Sequence, residues 1–258
     1  IVNDDMPFLV DSVMNELVAR DIGVHLLVHP VIAVSRDASG ALQGIGGEAD
    51  AGRESMMLIE IDRQTPAMLD ELKRALGDVL ADVRQAVVDW RAMRGAIGTA
   101  LAGLSTPGPR TQAEDVAEAR EFLEWIAANH FTFLGYRRYR YADPQSPDGA
   151  VYELLPGSAL GVLHDEYRLL FEPAPGETGL PAAMRAFLHG PAVLLIAKAD
   201  MVSKVHRRAP MDVLIVKHFG ADGRLEGEHR FAGLFTSSAY NRSPRDIPLL
   251  RRRVAQAI

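Results

Sequence analysis

Residues 3–13 read "NDDMPFLVDSV", and how they are read decides the first half of the fold. Pro7 suits the first turn of a helix, where its missing N–H costs nothing. Behind it Leu9, Val13 and Leu17 form one row and Val10, Met14 and Val18 the next, a broad apolar stripe that predicts a helix over 7–20. Asp4 and Asp5 then stand at the positive end of that helix, where either accepts free N–H groups, a cap worth about 0.5–2 kcal/mol. The sharper alternative is a carboxylate pair for catalysis or a metal. Adjacent residues at a strand end point in different directions, and no histidine ligand group lies nearby, so the spacing favours the helix start. A small-ligand contact through Asn3, Asp4, Asp5, Met6 and Phe8 is the functional reading of the same stretch.

Working outward, the helix stops at Asp21-Ile22-Gly23. Residues 24–35 are apolar and β-branched, a strand covered on both faces, with Pro30 marking an edge or bulge. The run 36–52 is a turn and loop, and 54–63 is another strand. Thr65-Pro66 opens a second helix with Leu69, Leu72, Leu76, Leu80 and Val83 on one face, extending past Trp90 toward Leu104. Strand, helix, strand, strand, helix is most of a ferredoxin-like βαββαβ unit, with its last strand not evident.

"STPGPR" (105–110) is the domain boundary. Thr111-x-x-Glu114 reads as a capping box for a helix that buries Val116, Leu123 and Ile126 and ends near Asn129-His130. Strands follow at 131–141 and, after a turn at Asp148-Gly149, in "AVYELL". Residues 157–190 are helical or irregular. Strands at 192–199, 211–219 and 224–235 come next, the last two joined at Ala221-Asp222-Gly223. Two strands, a helical excursion, then three antiparallel strands is the order of a PAS-type sensor domain. Tyr136, Tyr139 and Tyr141 read as a cross-strand aromatic cluster.

The totals bound the function. A chain of 258 residues, 48% apolar and 24% charged, has room for one or two real cores and is not disordered as a whole. A net charge of −6 does not draw nucleic acid by field alone, and the lack of cysteine excludes disulfides and thiolate chemistry. No apolar run approaches the roughly 20 residues of a membrane span. The opening residues lack a signal-peptide pattern and read as the cut end of a longer chain. His25 and His29, four apart on a strand, read as structural. Lys198, Lys204, His206, Arg207 and Arg208 make a basic cluster, a solvated edge or a contact for an anion or a neighbouring subunit. Arg242, Arg245 and Arg251–Arg253 form a second basic run without an aromatic platform. "GALQGIGG" (40–47) does not open an amphipathic helix, so it reads as a loop and not a dinucleotide cradle.

Two resemblances add to this. The opening resembles the start of an ACT domain, in which Asp-x-Pro-Gly-Leu-Leu precedes the helix: Asp5, Pro7, Leu9 and Gly23 match, and Phe8 stands where that family has its loop glycine. More broadly, "NDDMPFLVDSV", "VLADVRQAVVDW", "FLEWIAANHFTFLGYRRY" and "GLFTSSAYNRSPRDIPLLRRRV" together resemble the N-terminal region of the large bacterial NAD-dependent glutamate dehydrogenases. That resemblance implies an α+β chain. Residues 1–104 would be a ferredoxin-like ACT-type domain with a long second helix, and 105–129 a linker and helical connector. A PAS-like antiparallel sheet would fill 130–240, and a connecting helix would start in 241–258. It implies a parent that deaminates L-glutamate with NAD, and a non-catalytic regulatory and assembly role for this stretch, without a cofactor or metal of its own. The implied partners are other domains and subunits of a homo-oligomer and a small-molecule effector, not nucleic acid or membrane, in the cytoplasm. A metabolite-sensing module using the Asp4–Phe8 loop or a pocket in the sheet is the alternative.

Overall fold

The apolar stripe behind Pro7 closes into helix α1 (Leu9–Ala19), which follows a short strand, β1 (Val2–Asp4), and buries Leu9, Val13 and Leu17. The computed structural model describes residues 1–46, 52–141, 152–164 and 181–256. The described chain falls into two units. One comprises Ile1–Val87 with Lys204–Arg208, the other Val88–Ser203 with Ala209–Ile258.

In the first unit the β-branched run 24–35 is interrupted at Pro30, as a residue without an N–H requires, and gives β2 (Val24–Val28) and β3 (Val31–Arg36). The run expected to be loop contributes a strand of its own, β4 (Leu42–Ile45), paired antiparallel with β3. Local glycine content hid it, because the pairing is a hairpin closed at Asp37–Ala41 and not a property of residues 42–45 alone. Asp37 accepts from the Ser39 hydroxyl and from the backbone N–H groups of Ala41 and Ser39, and these bonds, the hydroxyl's first, hold its carboxyl below the usual range. β5 (Gly52–Met56) and β6 (Leu58–Ile61) complete the strands. One sheet has the order β1-β5-β3-β4 and a two-stranded ribbon joins β2 to β6.

Helix α2 (Pro66–Val88) follows. It buries Leu72, Val79, Val83 and Ala86, while Leu69 stays 47% exposed. The inward row is therefore rotated from the predicted one. The helix also breaks at Asp89 and does not run on to Leu104, and Trp90–Gly103 forms a separate α3 that belongs to the second unit.

In the second unit α4 (Ala113–Trp125) begins at Gln112 with no side-chain cap. The predicted capping box is not made; the Thr111 hydroxyl donates instead to Gly108 O at 2.6 Å. β7 (Phe131–Tyr141), β8 (Tyr152–Leu154), β9 (Leu160–Gly161), α5 (Ala182–His189), β10 (Leu194–Val202), β11 (Pro210–Phe219) and β12 (Leu225–Phe235) follow. The sheet runs β10-β11-β12-β7-β8, antiparallel throughout, with β9 also on β7. α6 (Ser237–Tyr240) and α7 (Leu250–Gln256) close the described chain. The expected turn at Asp148-Gly149 lies outside the described residues. Met93, Ile97, Leu123, Ile126, Leu214 and Phe231 head a core between α3, α4 and one face of this sheet.

Candidate functional site

The β1–α1 loop is built differently from the cap its sequence suggested. The helix takes Phe8 as its N-cap, in the left-handed region at φ 73°, and no side chain caps it. A side chain there costs about 1–2 kcal/mol that glycine does not incur. Asp4 lies opposite Glu54 across β1 and β5. The two carboxylates do not share a proton or an ion, because each has its own arginine. Arg84 donates to Asp4 at 2.6 Å and to Asn3 Oδ1 at 3.0 Å, and Arg36 grips Glu54 through Nε at 2.5 Å and a second nitrogen at 2.8 Å. The Arg36 hydrogen bonds hold the Glu54 carboxyl below the usual range. Asp5 donates its backbone N–H to Arg53 O at 2.9 Å, and its carboxylate lies 3.7 Å from Arg53. Met6 is half-buried.

The two groups of residues singled out in the sequence meet in the first unit. The Phe8 ring packs against the His206 ring, with centroids 5.0 Å apart. His206 is itself left-handed, at φ 67°. Its N–H donates to Ser12 Oγ at 2.9 Å, its carbonyl accepts from Asn15 at 2.7 Å, and its Nδ1 lies 3.2 Å from Asp11. Arg208 stands 3.9 Å from Glu16, Val205 is fully buried, and Lys204 and Arg207 are half-buried in the same segment. Two strained residues facing each other fill the space that a glycine at position 8 would leave open. Of the basic cluster, Lys198 belongs to the second unit, where it pairs with Asp212 at 2.8 Å.

Other sequence candidates resolve into structure. His25 contacts Asp62 at 2.8 Å and His29 contacts Ser55 at 2.5 Å. Arg251 bonds to Glu118 at 2.9 Å and to Glu121, and Arg252 bonds to Asp115 at 2.5 Å, so much of the second basic run is paired. No group of three or more histidine, aspartate or glutamate side chains among the described residues is placed to hold a metal. No helix among them is long and apolar enough to cross a membrane.

Sequence reasoning missed the polar interior of the second unit. The three tyrosines of β7 do not form one cluster, because alternation sends them to opposite faces. Tyr136 bonds to His229 at 2.8 Å, His229 meets His218 at 3.1 Å, and His218 accepts from Arg138 at 3.0 Å. With Arg138 donating, the ring protons run in one direction along the row, and both imidazoles are neutral. Burial, then the neighbouring His218 and Arg138, pushes His229 down to about 3. Burial and then Arg138 lower His218, and burial raises Tyr136 to about 12. On the other face Tyr141 donates to Glu228, Arg230 bonds to Glu228 at 2.5 Å, and the guanidinium stacks 4.5 Å from the Tyr139 ring centre. Alternating charge along "EGEHRF" was the available signal, and it was read only as a strand.

Residues 1–76 match the family described as glutamate dehydrogenase, ACT1 domain. The whole chain is 38% identical to the NAD-specific glutamate dehydrogenase of Pseudomonas aeruginosa, and 98% of it aligns at 36% identity with that of Halomonas elongata. The corresponding Mycobacterium tuberculosis enzyme is 31% identical over the full chain. The chain spans 16% of the length of the first two relatives and 15% of the third. The opening 76 residues thus match the ACT1 domain of glutamate dehydrogenases, and the full length of the chain is similar to a segment of the much longer NAD-specific glutamate dehydrogenases.

Proposed function

We propose that this segment is a non-catalytic regulatory and assembly region of an NAD-dependent glutamate dehydrogenase. The parent would convert L-glutamate, NAD and water to 2-oxoglutarate, ammonium and NADH, with the NAD held elsewhere in the longer chain. The carrying observation is the alignment of all 258 residues with a small fraction of enzymes so named. The first unit is proposed as a ferredoxin-like ACT-type domain, since its sheet contains the order β1-β5-β3 and α1 and α2 fall at the expected chain positions. The second is proposed as PAS-like, from six antiparallel strands interrupted by a helical excursion between β9 and β10.

Assembly is favoured over metabolite sensing at the first unit by one feature. Phe8 and His206 occupy the loop through which an effector would approach the backbone. The working partners are then other domains and subunits of the same enzyme in a homo-oligomer, within the cytoplasm. Comparing the parent enzyme with and without residues 1–258 tests this. A change in subunit association or effector response, with the chemical step intact, is the expected result. Loss of hydride transfer measured by rapid mixing, with the remaining domains still folded, would overturn the non-catalytic assignment.

A further inference from the structure

In the second unit Lys217 has only 2% of its surface exposed. Its Nζ donates to Gly190 O at 2.7 Å, at the end of α5, and stands 4.9 Å from the Phe187 ring centre. Arg110, exposed on the loop before α4, reaches the adjoining carbonyl, His189 O, at 3.4 Å. Two cationic heads therefore converge on neighbouring carbonyls. Among the described residues neither head has a carboxylate within ion-pair distance. Glu228, directly across the strand pair from Lys217, is already held by Tyr141 and Arg230.

Capping of α5 accounts for part of this. A helix C-terminus carries about half a negative charge, against two full positive ones. Lys217 uses one of three N–H donors on Gly190, and a buried ammonium without a counter-charge is costly. Both residues line a cleft of about 1420 Å³. Elsewhere on its wall Arg140 pairs with Glu153 and Arg224 with Asp222, while Arg138 bonds to His218. Glu226 is the second carboxylate of the lining, against five arginine and lysine side chains.

We propose that the Lys217–Arg110 end of this cleft binds a small multivalent anion, a phosphate-bearing group or a dicarboxylate, on the side of the two cations away from the α5 carbonyls. The cleft exceeds the roughly 300–1,000 Å³ of most ligand pockets, so the anion fills one end of it. This site does not depend on the regulatory role proposed above.

Calorimetry on the 258-residue chain, with inorganic phosphate and separately succinate against sodium chloride of equal ionic strength, tests the site. Saturable binding of either anion beyond the chloride blank is expected. Phosphate alone would identify a phosphate reader, succinate alone a dicarboxylate reader, and both a site that reads charge. Arg110→Gln, on an exposed loop, and Lys217→Met are each expected to weaken binding about tenfold or more. Lys217→Arg is expected to keep it. Burial lowers Lys217 to about 8, so wild-type affinity falls as pH rises through that value while the Lys217→Arg variant holds. His189, Tyr139, Tyr141, Glu228 and Arg230 are the other ionisable groups around it. Heat no greater than the chloride blank, or unchanged affinity in Arg110→Gln, would overturn the site.

Discussion

Phe8 carries most of what is unusual in the first unit. A phenylalanine at φ 73° opposite a histidine at φ 67° is held there by contacts that outweigh the conformational cost. That cost can be read separately from the ring packing. Phe8→Ala removes the ring but keeps a β-carbon in the left-handed region, whereas Phe8→Gly removes both. The glycine variant is therefore expected to be more stable than the alanine variant by about 1 kcal/mol, the reverse of their order in a helix, by urea denaturation. Equal stability, or alanine ahead, would mean that the backbone at position 8 relaxes once the ring is gone. His229 gives a second prediction at this scale. Its ordinary value is 6.5 and burial holds it near 3. Above 6.5 folded and unfolded chains are both neutral at this residue. Below it the unfolded chain binds a proton that the fold refuses, so stability declines as pH falls from 6.5 toward 3. His218, lowered by burial first, adds in the same direction. The denaturation midpoint followed over that range is expected to drop in the wild type and to drop less steeply in His229→Gln.

At the scale of elements, legibility followed locality. The stripe Leu9–Val13–Leu17, the break at Pro30 and the hairpin around Gly223 are written in neighbouring residues. The helix and the hairpin formed where expected, while Pro30 separates two strands of different sheets instead of bulging within one. The capping role of Asp4 and Asp5 was misread because their partners, Arg84 and Arg53, lie far along the chain. The convergence of Phe8 with His206 is a contact between positions 198 residues apart by number, and no spacing rule reaches it. The break at Asp89 has a similar origin, since its carboxylate accepts from Gly161 N at 2.8 Å and so answers to a loop that local helix propensity ignores. That loop supplies the prediction at this scale. Gly161 has φ 61°, and a β-carbon on it would stand 2.1 Å from Leu134 O. The obstacle is backbone, so it cannot swing aside. Gly161→Ala is expected to cost about 3 kcal/mol or more, combining left-handed strain with displacement of β9 from β7. Gly157→Ala also sits at positive φ, 73°, but has nothing within 4 Å, and is expected to lose only about 1–2 kcal/mol. Thermal melts of the pair separate collision from conformation.

For the whole molecule the decisive contrast is between charges that are matched and chemistry that is lacking a partner set. Asp4 and Glu54 face each other across two strands, yet each is bonded to its own arginine and the two do not converge on a shared proton or ion. His229 and His218 are aligned for proton relay but held neutral in the interior, where they order β7, β11 and β12. These groups specify packing in two separate cores, which suits a segment that supports chemistry done elsewhere. The isolated chain, given L-glutamate and NAD, is therefore expected to form no NADH above a buffer blank by absorbance at the nicotinamide band. Arg84→Ala is expected to lower the stability of the first unit by at most about 1 kcal/mol, since the Arg84–Asp4 pair is exposed and screened by solvent. In the full-length parent the same substitution should leave the rate of hydride transfer unchanged while altering subunit association or effector response. Steady NADH production by the isolated chain, lost on Arg84→Ala, would instead make the β1–β5 carboxylates catalytic.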